Sequence, residues 1–263
     1  MPTEIAFLRP GEPIAPGVQV LSTLRAGGVS TGPWASFNLG DHVGDDPAAV
    51  RENRGRLRAA LCLPTEPQWL RQVHGTDVVD AMPDGISREG DAVWTNAPGI
   101  VCAVLTADCL PVVLAAPDGS EIAVAHCGWR GLSAGILART VERFAASPAT
   151  LRAWFGPAIG QAAFEVGAEV REAFLATAQD AGARERVAAA FGASGDVSGK
   201  YHADLHALAR EALRALGVRQ VSGGGRCTVA EPEAFFSYRR DGVTGRMATL
   251  AWITPQGSGT GRT

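Results

Sequence analysis

A chain of 263 residues with 46% apolar and 19% charged residues can bury a substantial core and does not have the composition of a disordered protein. A formal net charge of −3 leaves no electrostatic footprint for nucleic acid or an anionic membrane. Five cysteines, an odd number at irregular spacing, do not make a disulfide framework, so a reducing cytoplasm is the expected setting.

Residues 1–10 lack a basic segment followed by a long apolar one, so no secretory signal is expected. Residues 18–25 alternate apolar and polar side chains like a strand. A glycine-rich loop follows over 26–44. Asp46 then reads as an N-cap, with Pro47 at the first helical position and Val50, Leu57 and Leu61 on one helix face. Residues 68–79, containing Gln72-Val73-His74-Gly75, read as a strand, and 91–95 as a short extended piece.

The most apolar stretch, 99–117, is interrupted by Thr106, Asp108 and Pro111, too broken to span a bilayer. It reads as two buried strands, 99–106 and 112–116. A Pro117-Asp118-Gly119-Ser120 turn then leads into a third strand over 121–126. Gly128-Trp129-Arg130-Gly131 opens a helix with Ile136, Leu137, Val141 and Phe144 along its apolar stripe.

In the second half, 151–155 reads as a strand and 168–180 as a helix. A further helix carries Leu205, Leu208, Ala212, Leu213 and Leu216 and is closed by Gly217. Residues 235–239 and 244–253 read as a hairpin around Asp241-Gly242. The Gly/Ser/Thr-rich tail, 256–263, reads as flexible. Interleaved strands and helices predict an α/β (mixed α+β) fold with helices packed around mixed β-sheets, one compact domain over 1–255.

If Ala116 faces Glu121 across the turn, Pro111 falls opposite His126, and Cys109 lies two residues further along at the same open end. Adjacent strands are about 4.8 Å apart, so a thiolate and an imidazole there can reach one metal ion. Two imidazoles and a thiolate suit Zn²⁺ and leave a fourth position for water or substrate, the mark of a catalytic rather than a structural site. His74, in its His-Gly-Thr-Asp segment, is a candidate third ligand, although spacing alone does not select it. His202 and His206, four apart, form a competing pair but lack an acidic general base between them and read as helix-surface residues. Cys62 and Cys102 read as apolar core, and Cys127 as facing away from His126.

Together these segments resemble the YfiH-like family, formerly described as laccase-like multicopper polyphenol oxidoreductases and now regarded as zinc-dependent purine nucleoside phosphorylases. The resemblance rests on SFNLGDHVGDDP at 36–47, QVHG at 72–75, TADCLPV at 106–112 and HCGWRG at 126–131. GPAIG with FEVG at 156–167, and CT with FFSYRRDGVTGR at 227–246, complete it. It implies Zn²⁺ on His74, Cys109 and His126, and phosphorolysis of adenosine, inosine and 5′-methylthioadenosine. It also implies a deaminase side activity on adenosine. The implied α/β/β/α layering matches the α/β reading. Cys127 departs from the family's more frequent Ala.

Deamination needs a water activated near neutral pH and a carboxylate proton carrier, for which Asp108 and Asp77 are candidates. Phosphorolysis needs an anion held in line with the anomeric carbon. Arg130, at a glycine-flanked helix entrance, is a candidate for that task, and Asn38 is a candidate to orient a ribose hydroxyl. Arg239 and Arg240 read as solvated. The expected partners are nucleosides and phosphate, with no nucleic acid, no membrane and a monomeric chain.

Three alternatives stay open. A laccase-like copper oxidase would need many more imidazoles than the five histidines present, although Cu²⁺ can occupy a His₂Cys set adventitiously. A hydrolase acting on peptidoglycan precursors would use either Cys109 as nucleophile with His126 as base, or the zinc. A non-catalytic module would need a fourth protein ligand.

Overall fold

The computed structural model describes residues 5–194 and 199–255. In chain order come β1 (Phe7–Leu8), β2 (Val18–Thr23), α1 (Pro47–Leu61), β3 (Leu70–Arg71), β4 (Val78–Asp80), β5 (Arg88–Glu89) and β6 (Ala92–Thr95). Then β7 (Val101–Thr106), β8 (Leu110–Ala115), β9 (Ile122–Cys127), α2 (Trp129–Ala134), α3 (Ile136–Val141) and β10 (Arg152–Phe155) follow. The remainder is β11 (Glu165–Gly167), α4 (Ala168–Leu175), α5 (Ala181–Ala189), β12 (Phe191–Ala193), β13 (Lys200–Ala203), α6 (Leu205–Ala215), β14 (Gln220–Gly223), α7 (Tyr238–Asp241) and β15 (Met247–Ile253).

A four-stranded sheet in the order β1-β2-β15-β7 lies against a six-stranded sheet in the order β14-β10-β8-β9-β6-β4. Alternation along the strands dictates the layering. In β8, Val113 and Ala115 meet Val20, Val104 and Ala251 of the other sheet in an inter-sheet core. Leu110, Val112 and Leu114 instead face a second core beneath the helices, with Leu137, Leu208 and Leu213. The outer face of the four-stranded sheet is covered by Leu57 of α1 with Phe37, Leu39 and Trp69. The expected α/β/β/α arrangement is what forms. Strands buried on both faces explain the long unbroken apolar runs.

The α1 start follows its sequence signals: the Asp46 side chain accepts from Ala48 N at 2.8 Å and Pro47 opens the helix. The hairpin register also follows, with Pro111 opposite His126 and Ala116 N donating to Glu121 O at 2.9 Å.

Five expectations change. Residues 68–79 are not one strand: β3 and β4 are separated by a loop in which His74 has φ +60°. That loop is held by a carboxylate described below rather than by a sheet. The expected C-terminal hairpin does not form. The Ser237 hydroxyl caps a helical turn by accepting from Arg240 N at 3.2 Å, and β15 pairs with β2 and β7 instead. The helix after Gly131 breaks at Gly135, φ +99°, into α2 and α3, and the helix from Ala168 stops at Leu175 because Asp180 caps α5. His202 lies on β13, so it shares no helix with His206. The small sheet β11-β13-β12 is an addition without a sequence signal. The expected flexible tail at 256–263 lies outside the described residues.

Candidate metal centre

Three elements converge where the chain passes from one sheet to the other. β7 ends at Thr106 in the four-stranded sheet, and β8 begins at Leu110 in the six-stranded one. Cys109 sits on this crossover. Asp108 before it has φ +95°, a costly conformation for a residue with a Cβ. Three hydrogen bonds hold it there. Its carboxylate accepts from Thr228 Oγ1 at 2.6 Å and from Arg239 N at 2.6 Å, and its carbonyl from Ile159 N at 2.9 Å. Both carboxylate oxygens are thus engaged in shaping the crossover.

β9 brings His126 alongside, opposite Pro111 and on the strand face of Ile122 and Val124. The loop between β3 and β4 delivers His74, stapled to β7 by Gln72. The Gln72 carboxamide donates to Leu105 O at 2.9 Å and accepts from Leu105 N at 2.7 Å, in the manner of a neighbouring strand.

The ligand atoms of His74, Cys109 and His126 all lie within 4.8 Å of one another, and Cys109 Sγ is 3.9 Å from His74 Nε2. Tetrahedral bonds of about 2.3 Å to sulfur and about 2.0 Å to nitrogen place such atoms roughly 3.5 Å apart, so the Cys109–His74 pair is already within a few tenths of an ångström of that spacing. The group grades from buried His126 through half-buried Cys109 to exposed His74, so it opens at the surface. It can hold a metal ion.

Asp91 organises two of the three ligands, and the sequence reading missed this role. Its fully buried carboxylate accepts from His126 Nδ1 at 2.8 Å and His74 N at 2.9 Å on one oxygen. The other oxygen accepts from Gly75 N at 2.6 Å and Val73 N at 3.1 Å. One acid therefore curls the His74 loop and fixes the His126 tautomer, leaving Nε2 for a metal. The available signal was a carboxylate, preceded by Gly90, directly before the apolar strand β6.

Close packing adds glycines. A Cβ on Gly128 would stand 2.9 Å from His74 Cδ2 and 3.0 Å from Cys109 Sγ, and one on Gly131 2.8 Å from Gly75 O. The Cys-Gly-Trp-Arg-Gly run is therefore glycine-punctuated because the β9–α2 turn passes directly against the His74 loop.

The charges of the group are coupled. Burial opposes ionisation of Cys109. The neighbouring His126 charge and hydrogen bonds from both imidazoles overcome that, bringing the thiol down to about 6. Burial likewise disfavours charge on His126, but Cys109 and the Asp91 hydrogen bond hold its pKa up, to about 9. Asp91 stays below the usual carboxylate range despite its burial, through His126 and the loop N–H groups. Cys127 lies in the helix-side core, where burial first and then the charges of Cys109 and Asp91 push its thiol well up.

The other predicted residues lie outside the three-ligand group. Asn38 is fully buried: its amide nitrogen donates to Gly40 O and Asp45, and its oxygen accepts from Gly40 N and Arg246 N. With these partners it shapes the 38–45 loop. Arg130 is exposed, its guanidinium stacked 4.4 Å over the Trp129 ring. Asp77 is exposed, and its carbonyl rather than its carboxylate is engaged, by Asp91 N and Ala92 N. Arg240 is not solvated: it donates to the carbonyls of Thr228, Val229 and Phe235 and pairs with Asp241 at 2.7 Å. Arg239 is exposed but anchored on Ala163 O and Glu165 O.

The family described as multi-copper polyphenol oxidoreductase laccase matches residues 19–254. The chain belongs to this family. It is 54% identical over 245 residues to the purine nucleoside phosphorylase YfiH of Escherichia coli K12, covering 93% of this chain and 97% of that one. The fold is similar to the crystal structure of Neisseria meningitidis protein NMB0706, with a TM-score of 0.87 at 45% identity over 95% of this chain and 99% of that one. It is also similar to YlmD of Geobacillus stearothermophilus, with a TM-score of 0.83 at 32% identity, covering 95% and 96%. A blue-copper site with a trinuclear cluster needs several groups of imidazoles. Among the described residues, His74, Cys109 and His126 form the one group of three or more metal-type donors.

Proposed function

We propose that the chain is a zinc-dependent purine nucleoside phosphorylase acting on adenosine, inosine and 5′-methylthioadenosine, with a side activity deaminating adenosine. We read residues 1–255 as a single catalytic domain, working as a cytoplasmic monomer. The observation that carries the reading is the convergence of His74, Cys109 and His126, two of them held by the buried Asp91, in a chain so similar to a protein named for this activity.

In phosphorolysis a phosphate oxygen bonds to the anomeric carbon as the bond to the purine nitrogen breaks, giving ribose 1-phosphate and the free base. His74, Cys109 and His126 would hold a divalent ion, which would supply Lewis acidity there. The chain's own residues supply position. Asp91 keeps the proton on His126 Nδ1. Asp108 fixes the crossover bearing Cys109, and Gln72 sets the depth of His74. Exposed Val73, beside His74, and the exposed ring of Tyr238 offer apolar surface of the kind a purine face covers.

A specific observation favours one rival. Cys109, His126 and Asp91 also form a thiol–imidazole–carboxylate series with a depressed thiol pKa, the arrangement of a cysteine hydrolase. Chromatography of metal-assayed protein with adenosine, with and without phosphate, separates the two readings. Phosphorolysis releases adenine only with phosphate. Cys109→Ala should lose both metal and turnover while staying folded. Normal phosphorolysis by Cys109→Ala protein would end the proposal.

A further inference from the structure

The strand pairing places an arginine near the metal centre that is not one of its ligands. Met247 faces Thr106 in the β15–β7 ladder, so Arg246 continues the register opposite Ala107, two residues before Cys109. Its place is built from both sides. The Asn38 side-chain oxygen accepts from Arg246 N at 2.8 Å. Gly40 leaves room for the stem, since a Cβ there would stand 2.8 Å from Arg246 Cγ.

Arg246 is half-buried, its guanidinium 6.0 Å from the Tyr238 ring centroid, yet among the described residues no carboxylate pairs with it within 4.0 Å. Only Nη1 donates, to Thr244 O at 3.1 Å and Gly245 O at 3.0 Å. The nearby acid is not its partner, because both Asp108 oxygens serve Thr228 and Arg239. Burial lowers the Arg246 pKa, and the charges of Cys109, Asp108 and Tyr238 push it back up, so the side chain lies within the electrostatic reach of the centre. A buried cation without a counter-charge is costly, and an anion from solution is the remedy.

Charge balance fits an oxyanion. A divalent ion on one thiolate and two neutral imidazoles would leave the three ligands at +1, with the Asp91 carboxylate behind His126, and Arg246 adds a positive centre within electrostatic reach on the other side. Arg130, the residue first expected to hold an anion, is exposed and stacked on Trp129.

We propose that Arg246 is the phosphate-binding residue of the site, with Asn38 and Gly40 acting as positioning residues for it. This rests on the phosphorolysis reading for the identity of the anion, and on the half-buried guanidinium without a carboxylate partner for its existence.

The test is equilibrium dialysis of inorganic phosphate against zinc-loaded parent, Arg246→Gln and Arg246→Lys proteins, with metal content and melting temperature checked for each. Phosphate and adenosine dependence of adenosine phosphorolysis is measured in parallel. Loss of a charge-assisted contact should weaken phosphate binding and raise the phosphate KM roughly 10- to 100-fold in Arg246→Gln. The adenosine KM and zinc content should stay near parent values, and Arg246→Lys should recover part of the loss. A folded, zinc-loaded Arg246→Gln protein with parental phosphate affinity overturns the assignment, as does a parent that binds no phosphate. Arg246-dependent phosphate binding by a parent that releases no base would support the anion site and refute the nucleoside reading instead.

Discussion

Replacing Gly128 by Ala perturbs the metal centre without changing a ligand. Gly128 has φ −62° and ψ 154°, a conformation any residue adopts, so backbone strain does not enter. The new methyl would lie 2.9 Å from His74 Cδ2 and 3.0 Å from Cys109 Sγ, where carbon contacts normally settle at about 3.5–4.0 Å. Relieving the overlap moves both ligands by roughly half an ångström or more, beyond the ~0.2 Å within which metal–ligand distances are held. Overpacking of this kind costs about 1–3 kcal/mol. His74 is exposed and can swing aside when no metal is bound, so the cost falls mainly on the metal-bound state and weakens binding about 5- to 150-fold. Competition with a chromophoric zinc chelator reads the affinity, and thermal melts in excess chelator read the fold. Parental affinity in Gly128→Ala would mean that the close approach of the turn to the ligands is not what we describe.

Two further changes probe the same network. In Asp91→Asn, whichever way the amide is turned, its NH₂ faces two of the four donors now served. The two orphaned buried donors lower stability by about 2–6 kcal/mol, and metal affinity falls about 10- to 100-fold. Unfolding by denaturant and the chelator assay measure these effects, and unchanged values in both would remove Asp91 from the organising role. In chelator-treated protein, the Cys109 thiol at about 6 predicts that the thiolate persists well below the ordinary thiol range. Alkylation followed by mass spectrometry should therefore show a half-maximal rate near pH 6, slowing as pH falls further. Cys102 and Cys127, buried and shifted upward, should stay unlabelled at neutral pH. A midpoint near an unperturbed thiol at about 8.5 would contradict the coupling to His126.

How far the chain could be read in advance depended on whether the information was local. The β8–β9 hairpin carries a Pro-Asp-Gly-Ser turn between two apolar runs, so the register that sets Pro111 opposite His126 could be counted outward from the turn. Asp46-Pro47 likewise announced α1. His74 could not be placed this way. Its loop is shaped by Asp91, 17 residues on, whose carboxylate substitutes for a strand partner. Asp241-Gly242 looked like a hairpin turn. A seven-residue strand buried along its whole length gains more between β2 and β7, more than 140 positions earlier in the chain, than from a local partner. The same long-range pairing hid Arg246, and a basic run in which Arg240 is bonded to three carbonyls gave no hint of it.

The location of the centre follows from the fold's construction. The two sheets are joined where β7 hands over to β8, and Cys109 lies on that handover. Stacking the sheets brings the four-stranded sheet's Gln72 anchor and Arg246 to one side, and the six-stranded sheet's His126 and Asp91 to the other. The inter-sheet core, with Val104 and Ala251 against Val113 and Val124, therefore does more than hold the layers together. It sets the distance between the thiolate and imidazole from one sheet and the guanidinium from the other. Neither sheet alone contains a site. Cores are close-packed and resist sliding, so the placement of the three ligands relative to Arg246 is built into the hydrophobic register of the two sheets. The strained Asp108, tied to Thr228 and Arg239, fixes the one point where the backbone passes between them.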